Sequence, residues 1–143
     1  MTRGWAVRRL EEIPIVPDPE PGWPDWYPAR HFFGIESFGV NVFVARAAGD
    51  RIVPDHTESG EEAGSTGHEE LYLVVRGEVT FTVEGETFDA PAVTLIACAP
   101  PVRRAAVAKS PGDTVVAVGG NLASQFVRSN WEQRWTEGVP AAE

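Results

Sequence analysis

From His31 to Gly120 the apolar residues come in short runs with turn residues between them, and inside the runs the period is two. Val79, Phe81 and Val83 alternate with Thr80 and Thr82, the signature of a β-strand with one buried face. The run HEELYLVV, the turn Arg76-Gly77 and EVTFTV together read as a hairpin. Val40, Val42 and Val44 alternate with Asn41, Phe43 and Ala45, so this strand is apolar on both sides except at Asn41 and suits cover on both faces. IVPDHTE predicts a further short strand, which Pro54 pushes toward an edge or a bulge. VTLIA, RRAAVA and TVVAVGG complete the set, separated by Ala99-Pro100-Pro101 and by KSPGD. SGEEAGSTG has no apolar period and reads as a polar loop. Many short strands at this spacing predict an all-β sandwich or barrel.

The two flanks differ from this middle. Prolines at 14, 17, 19, 21, 24 and 28 rule out a helix or an interior strand. This stretch reads as an extended arm over 1–30. Trp23, Trp26 and Tyr27 give it apolar surface to lay across the barrel or a partner subunit. Near the other end, Ser129 followed by Glu132 has the form of a capping box, with Trp131 and Trp135 one turn apart and Gly138 as a stop. The expectation is a short helix that packs both tryptophans onto the barrel. The whole reads as one domain over 1–143: arm 1–30, barrel 31–120, helix and tail 121–143.

Composition narrows the function classes. A length of 143 residues with 43% hydrophobic content supports one real core. The net charge of −9 argues against nucleic acid or anionic lipid as a partner. No run reaches the roughly 18 apolar residues of a membrane helix. Arg8, Arg9, Glu11 and Glu12 stand where a signal peptide would be apolar, and the single Cys98 cannot form an internal disulfide, so a cytoplasmic, reducing home is expected. The single Cys98 lies in an apolar run and reads as a buried structural thiol.

His68 and Glu70 are two apart on one strand and share a face with Tyr72 and Val74, while Glu69, Leu71, Leu73 and Val75 take the other. His56 and Glu58 repeat that spacing and can supply an opposite wall. Converging histidine and carboxylate suit Zn, Fe, Mn or Ni. The same residues serve equally as a metal-free polar pocket, or lie at the surface. Arg103 and Arg104 are adjacent, so only one points inward, where it needs a carboxylate or an anionic ligand. It would bind such a ligand or pair with Glu70 or Glu58, unless both arginines lie at a solvent edge. Glu61 and Glu62 read as a solvated loop, and His31 as structural.

The run His68-Glu69-Glu70-Leu71-Tyr72-Leu73-Val74-Val75-Arg76-Gly77 resembles the first motif of the cupin superfamily, with Glu70 and Gly77 at the motif's glutamate and glycine. EVTFTVEGE looks like its continuation, and FDAPAVTLIACAPPVRRAAVA is similar to the second motif. The likeness covers roughly residues 40 to 119. It implies a jelly-roll β-barrel, often dimeric, with a divalent metal in the barrel mouth. The family's His-x-His pair is His56-Thr57-Glu58 here, Val93 stands at a usual glycine, and Arg103 or Arg104 stands about where the last histidine falls. The expected metal set is therefore His56, Glu58, His68 and Glu70, with Tyr72, Arg103 and Arg104 facing a small-molecule ligand. A homodimer is expected. The function classes left open are a small-molecule binder or sensor, a metal-dependent dioxygenase, isomerase or cyclase, and a structural dimer.

Overall fold

The computed structural model describes residues 3–59, 67–121 and 127–141. Among the described residues nine strands form two antiparallel sheets, as the alternation predicts. The five-stranded sheet has the order β1 (Asp25–Tyr27), β2 (Gly39–Val44), β9 (Thr114–Gly120), β4 (Glu69–Arg76), β7 (Thr94–Cys98). The four-stranded sheet has the order β3 (Arg51–His56), β8 (Arg104–Ala108), β5 (Glu78–Val83), β6 (Glu86–Pro91). The cupin-type jelly roll expected from the sequence is what the chain forms.

Register sorts the five-stranded sheet into rows. Asn41, Ala117, Tyr72 and Ile96 lie side by side, and so do Gly39, Gly119, Glu70 and Cys98. These rows face the other sheet, where Tyr72 joins Val74, Val79, Phe81, Ile96, Ala106 and Val115 in one buried cluster. The opposite face carries Tyr27, Val42, Val116, Leu73 and Leu95 in one row and Val40, Val118, Leu71 and Ala97 in the next. Neither of these outer rows contains a charge.

Gly77 between β4 and β5 has φ +75°, and a Cβ there would lie 1.9 Å from Asp113 Oδ1. Asp113 is buried and accepts from the backbone N–H groups of Lys109 and Ser110, both at 2.8 Å, which leaves it no room to yield. The glycine that carried the resemblance is thus fixed by turn geometry, not by ligand chemistry.

The arm lies along the barrel. Ile13, Val16, Pro24 and Pro28 are buried, and β1 extends the sheet by pairing with β2. The Arg46 side chain donates to the carbonyls of Trp23, Asp18 and Glu20, and the Arg51 guanidinium sits 4.1 Å above the Trp23 ring.

Two expectations about helices need correction. Residues Ala29–Phe33 form a short helix, α1, where the strand-rich text was expected to begin. Pro28 precedes it, and Gly34 at φ 68° ends it by donating its N–H to the last turn. In the second helix, α2 (Asn130–Trp135), Ser129 Oγ does accept from the Glu132 N–H at 3.0 Å. The tryptophans do not pack inward, however: Trp131 is 59% and Trp135 43% exposed. The buried residues of this segment are Glu132 and Thr136, because Glu132 turns its carboxylate to the buried Arg30 of α1. His31 Nε2 meets the Val139 carbonyl at 2.7 Å and fastens the same two segments. Glu61 and Glu62 lie outside the described residues. No described helix is long and apolar enough to cross a membrane.

A candidate polar and cation site at one end of the barrel

Strand ends from both sheets bring the polar side chains together. β4 supplies Glu70 from its first turn of pleat, the end of β3 supplies His56, and β8 begins at Arg104, which pairs across the sheet with His56. Glu58 follows β3 and is anchored by its backbone: its N–H donates to Pro100 O and its carbonyl accepts from the Gly67 N–H, both at 2.8 Å.

Arg104 is the inward arginine. It is fully buried, on the same parity as Ala106 and Ala108, and every guanidinium nitrogen is engaged. Nε donates to Tyr72 Oη at 3.2 Å, Nη1 to the carbonyls of Val102 at 2.6 Å and Pro100 at 3.3 Å, and Nη2 to Glu70 Oε1 at 3.1 Å. Burial, then the neighbouring Glu70 charge, push the Tyr72 hydroxyl well above its usual pKa, so it keeps its proton. That proton goes to Glu70 Oε1 at 2.6 Å. Arg103 points the other way; half exposed, it donates to Asp55 at 3.2 Å. Of the readings open for the inward arginine, the structure shows the pairing with Glu70. Arg104 is committed to protein acceptors, and Arg103 lies on the rim with Asp55.

Each ring nitrogen of His56 faces an acceptor. Nδ1 lies 2.5 Å from Pro54 O, and Nε2 lies 3.0 Å from Glu58 Oε1 and 3.6 Å from Glu70 Oε1. Two acceptors require two N–H groups, which is the imidazolium form. Burial pulls the His56 pKa down, but the bonds to Glu58, Glu70 and Pro54 outweigh it and push it up to about 10. Two cations, Arg104 and His56, thus face two carboxylates, Glu58 and Glu70.

Beside this cluster lies a cavity of about 90 Å³, lined by Asn41, Glu58, His68, Glu70, Ser129 and Glu132 among others. His68 is buried, and loss of solvent lowers its pKa more than the surrounding Glu58, Glu70 and Glu132 charges raise it. It is a neutral imidazole on the cavity wall. Gly119 also lines the cavity; a Cβ there would stand in ordinary contact, 3.4 Å from Glu70 Cγ and 3.6 Å from His68 Cβ. Asn41, Ser129 and Glu132 were not expected as site residues. Asn41 had a signal, as the one polar residue of an apolar strand; its Oδ1 accepts from Trp26 Nε1 at 2.8 Å. Ser129 and Glu132 were read only as a helix cap.

Whether these residues suit a divalent ion is decided by their donor atoms. His56, Glu58 and Glu70 each offer one ligand atom within 4.8 Å of the others, and this mixed nitrogen and oxygen set could hold a metal. Among the described residues His68 is not part of that group, although the sequence placed it with Glu70. The set fits a cation, and its two carboxylates are already engaged by proton donors: Glu58 by His56, and Glu70 by Tyr72 and Arg104.

Two facing antiparallel sheets with a polar cluster at one end, covered by a terminal helix, define a small double-stranded β-helix barrel. No protein-family model matches the chain, and no curated protein matches it. Solved structures do match. A sugar phosphate isomerase of the cupin superfamily from Silicibacter pomeroyi superposes with a TM-score of 0.64 at 15% identity, covering 84% of this chain and 78% of the other. KdgF from Halomonas sp. gives a TM-score of 0.58 at 18% identity over 76% of this chain and 88% of its own. A cupin protein from Bacteroides fragilis gives 0.56 at 18% identity, over 78% and 86%. The chain has the fold of these cupin structures.

Proposed function

We propose that the protein binds a small polar molecule at the closed end of its barrel, with a divalent cation as an optional partner at the same place. The observation that carries this reading is the convergence of His56, Glu58 and Glu70 beside a cavity whose wall holds His68. A cation bound there would act as a Lewis acid toward an oxygen of the ligand. The chain's own residues do the rest. Tyr72 and Arg104 fix the Glu70 carboxylate, neutral His68 offers a donor and an acceptor, and Ser129 with Glu132 cover the cavity. At about 90 Å³ the cavity is far smaller than the roughly 300–1,000 Å³ of drug-sized pockets, which favours a ligand of a few heavy atoms.

A second reading, metal-dependent catalysis of the dioxygenase, isomerase or cyclase kind, draws on the likeness to a protein named as a sugar phosphate isomerase. Titration calorimetry of untagged, chelator-treated protein with Zn²⁺, Mn²⁺ and Ni²⁺ tests the cation. Uptake is expected and should be lost in Glu58→Gln and Glu70→Gln but kept in His31→Ala. If no ion binds at millimolar concentration, the site is a plain polar pocket.

The outer rows of the five-stranded sheet support a homodimer as part of the same proposal. Leu71, Leu95 and Val75 remain 37%, 59% and 42% exposed there, and a groove lined by Phe38, Leu71, Ala97 and Val118 opens on this face. The apolar middle of this face, between Asp25 and Glu69, is complementary to itself, and a second copy can cover it through a two-fold axis.

A further inference from the structure

We propose that Arg104 is the resident cation of this site, and that its guanidinium holds down the affinity of His56, Glu58 and Glu70 for a divalent metal. This rests on the reading of those three residues as a cation site, and deepens it. Glu70 is the member of the trio that Arg104 holds: Arg104 Nη2 donates to its Oε1 at 3.1 Å while Tyr72 donates to the same oxygen at 2.6 Å. Arg104 cannot withdraw to make way for an ion. Its other nitrogens are tied to Tyr72, Val102 and Pro100, and it is fully buried. It cannot lose its charge either, since an arginine stays protonated. An incoming ion would therefore share one carboxylate with a fixed positive charge a few ångströms away. At an effective dielectric near ~20 this repulsion is large on the scale of binding energies. The guanidinium also supplies, without any metal, the positive charge that a pair of carboxylates between two sheets requires. The chain is thus built to keep Glu70 paired whether or not a metal arrives.

The experiment compares Zn²⁺ binding by calorimetry in the full-length wild type with Arg104→Met, Arg104→Gln and Arg104→Lys, each checked for folding by thermal melting. Removing the charge should tighten binding at least about tenfold, or ~1.4 kcal/mol. Arg104→Lys, which keeps the charge, should stay within about threefold of wild type. In the wild type, saturating Zn²⁺ should also shift the ¹⁵N resonance of the Arg104 Nε–H, because zinc and guanidinium compete for Glu70. That measurement decides the matter if the neutral variants do not fold. Wild type binding zinc as tightly as Arg104→Met or Arg104→Gln overturns the inference and leaves the cation site standing. So does bound zinc with an unshifted Arg104 resonance. Absence of zinc binding in wild type and in every folded variant overturns both.

Discussion

His56 is held as a cation by three acceptors, and this gives the protein a pH dependence whose sign can be worked out. Its folded pKa of about 10 lies above the ordinary value of 6.5, so the folded state binds the proton more tightly than the unfolded chain. The stability this contributes is complete below pH 6.5 and is lost as pH rises through 10. Denaturant midpoints of metal-free protein should therefore fall between those limits, and His56→Gln should remove most of the slope. An unchanged slope in that variant would show that His56 is not the group responsible. Gly77 makes a second prediction at this scale. Ala at a φ of +75°, with its Cβ driven against Asp113, should cost at least ~2 kcal/mol by denaturant unfolding. Of the residues that matter, Glu70 and Gly77 were legible because alternation and turn chemistry speak for each one locally. The choice between Arg103 and Arg104 was not. Ala105 and Val107 on one face and Ala106 and Ala108 on the other give no parity preference, so only the opposing sheet decides.

Among the elements, most strands were legible, but β1 within the proline-rich arm and β6 (Glu86–Pro91) were not, and the helices were less so. Strands announce themselves by a period of two that survives whatever packs on them. α1 is five residues long, and its only marks were Pro28 before it and Gly34 after it. α2 was placed correctly by its cap, but its buried side was misjudged. Tryptophans suggest burial by hydrophobicity, yet the helix is drawn down by a charge, because Arg30 is already buried beside it and needs Glu132. The consequence is an inverted mutational pattern. Glu132→Ala should cost about 3–5 kcal/mol by stranding a buried arginine, whereas Trp131→Ala should stay within about 0.5 kcal/mol. Thermal melts of the two variants would check this, and a larger loss in Trp131→Ala would contradict the placement of the helix. β3 shows another limit of sequence reading. Register shifts on either side of Val53 break its alternation, so the direction of His56 could not be counted from Ile52.

Across the whole molecule, the five-stranded sheet has apolar rows on both faces, and the sequence showed this in β2 before any fold was known. An apolar face that covers no core asks for a partner. Sedimentation should find a dimer at micromolar concentration, and Leu95→Glu should give a folded monomer with the same circular dichroism. A wild type that remains monomeric would leave the outer rows without that explanation. The Arg30–Glu132 pair joins positions 102 apart in the chain. It also sets an order on events as the protein is made. Synthesis proceeds from the N-terminus, so β9 leaves the ribosome ahead of Ser129 and Glu132, and the barrel can close before its cover exists. During that interval Arg30 has no carboxylate from α2, and the cavity beside His68 stands open to whatever the surrounding fluid contains.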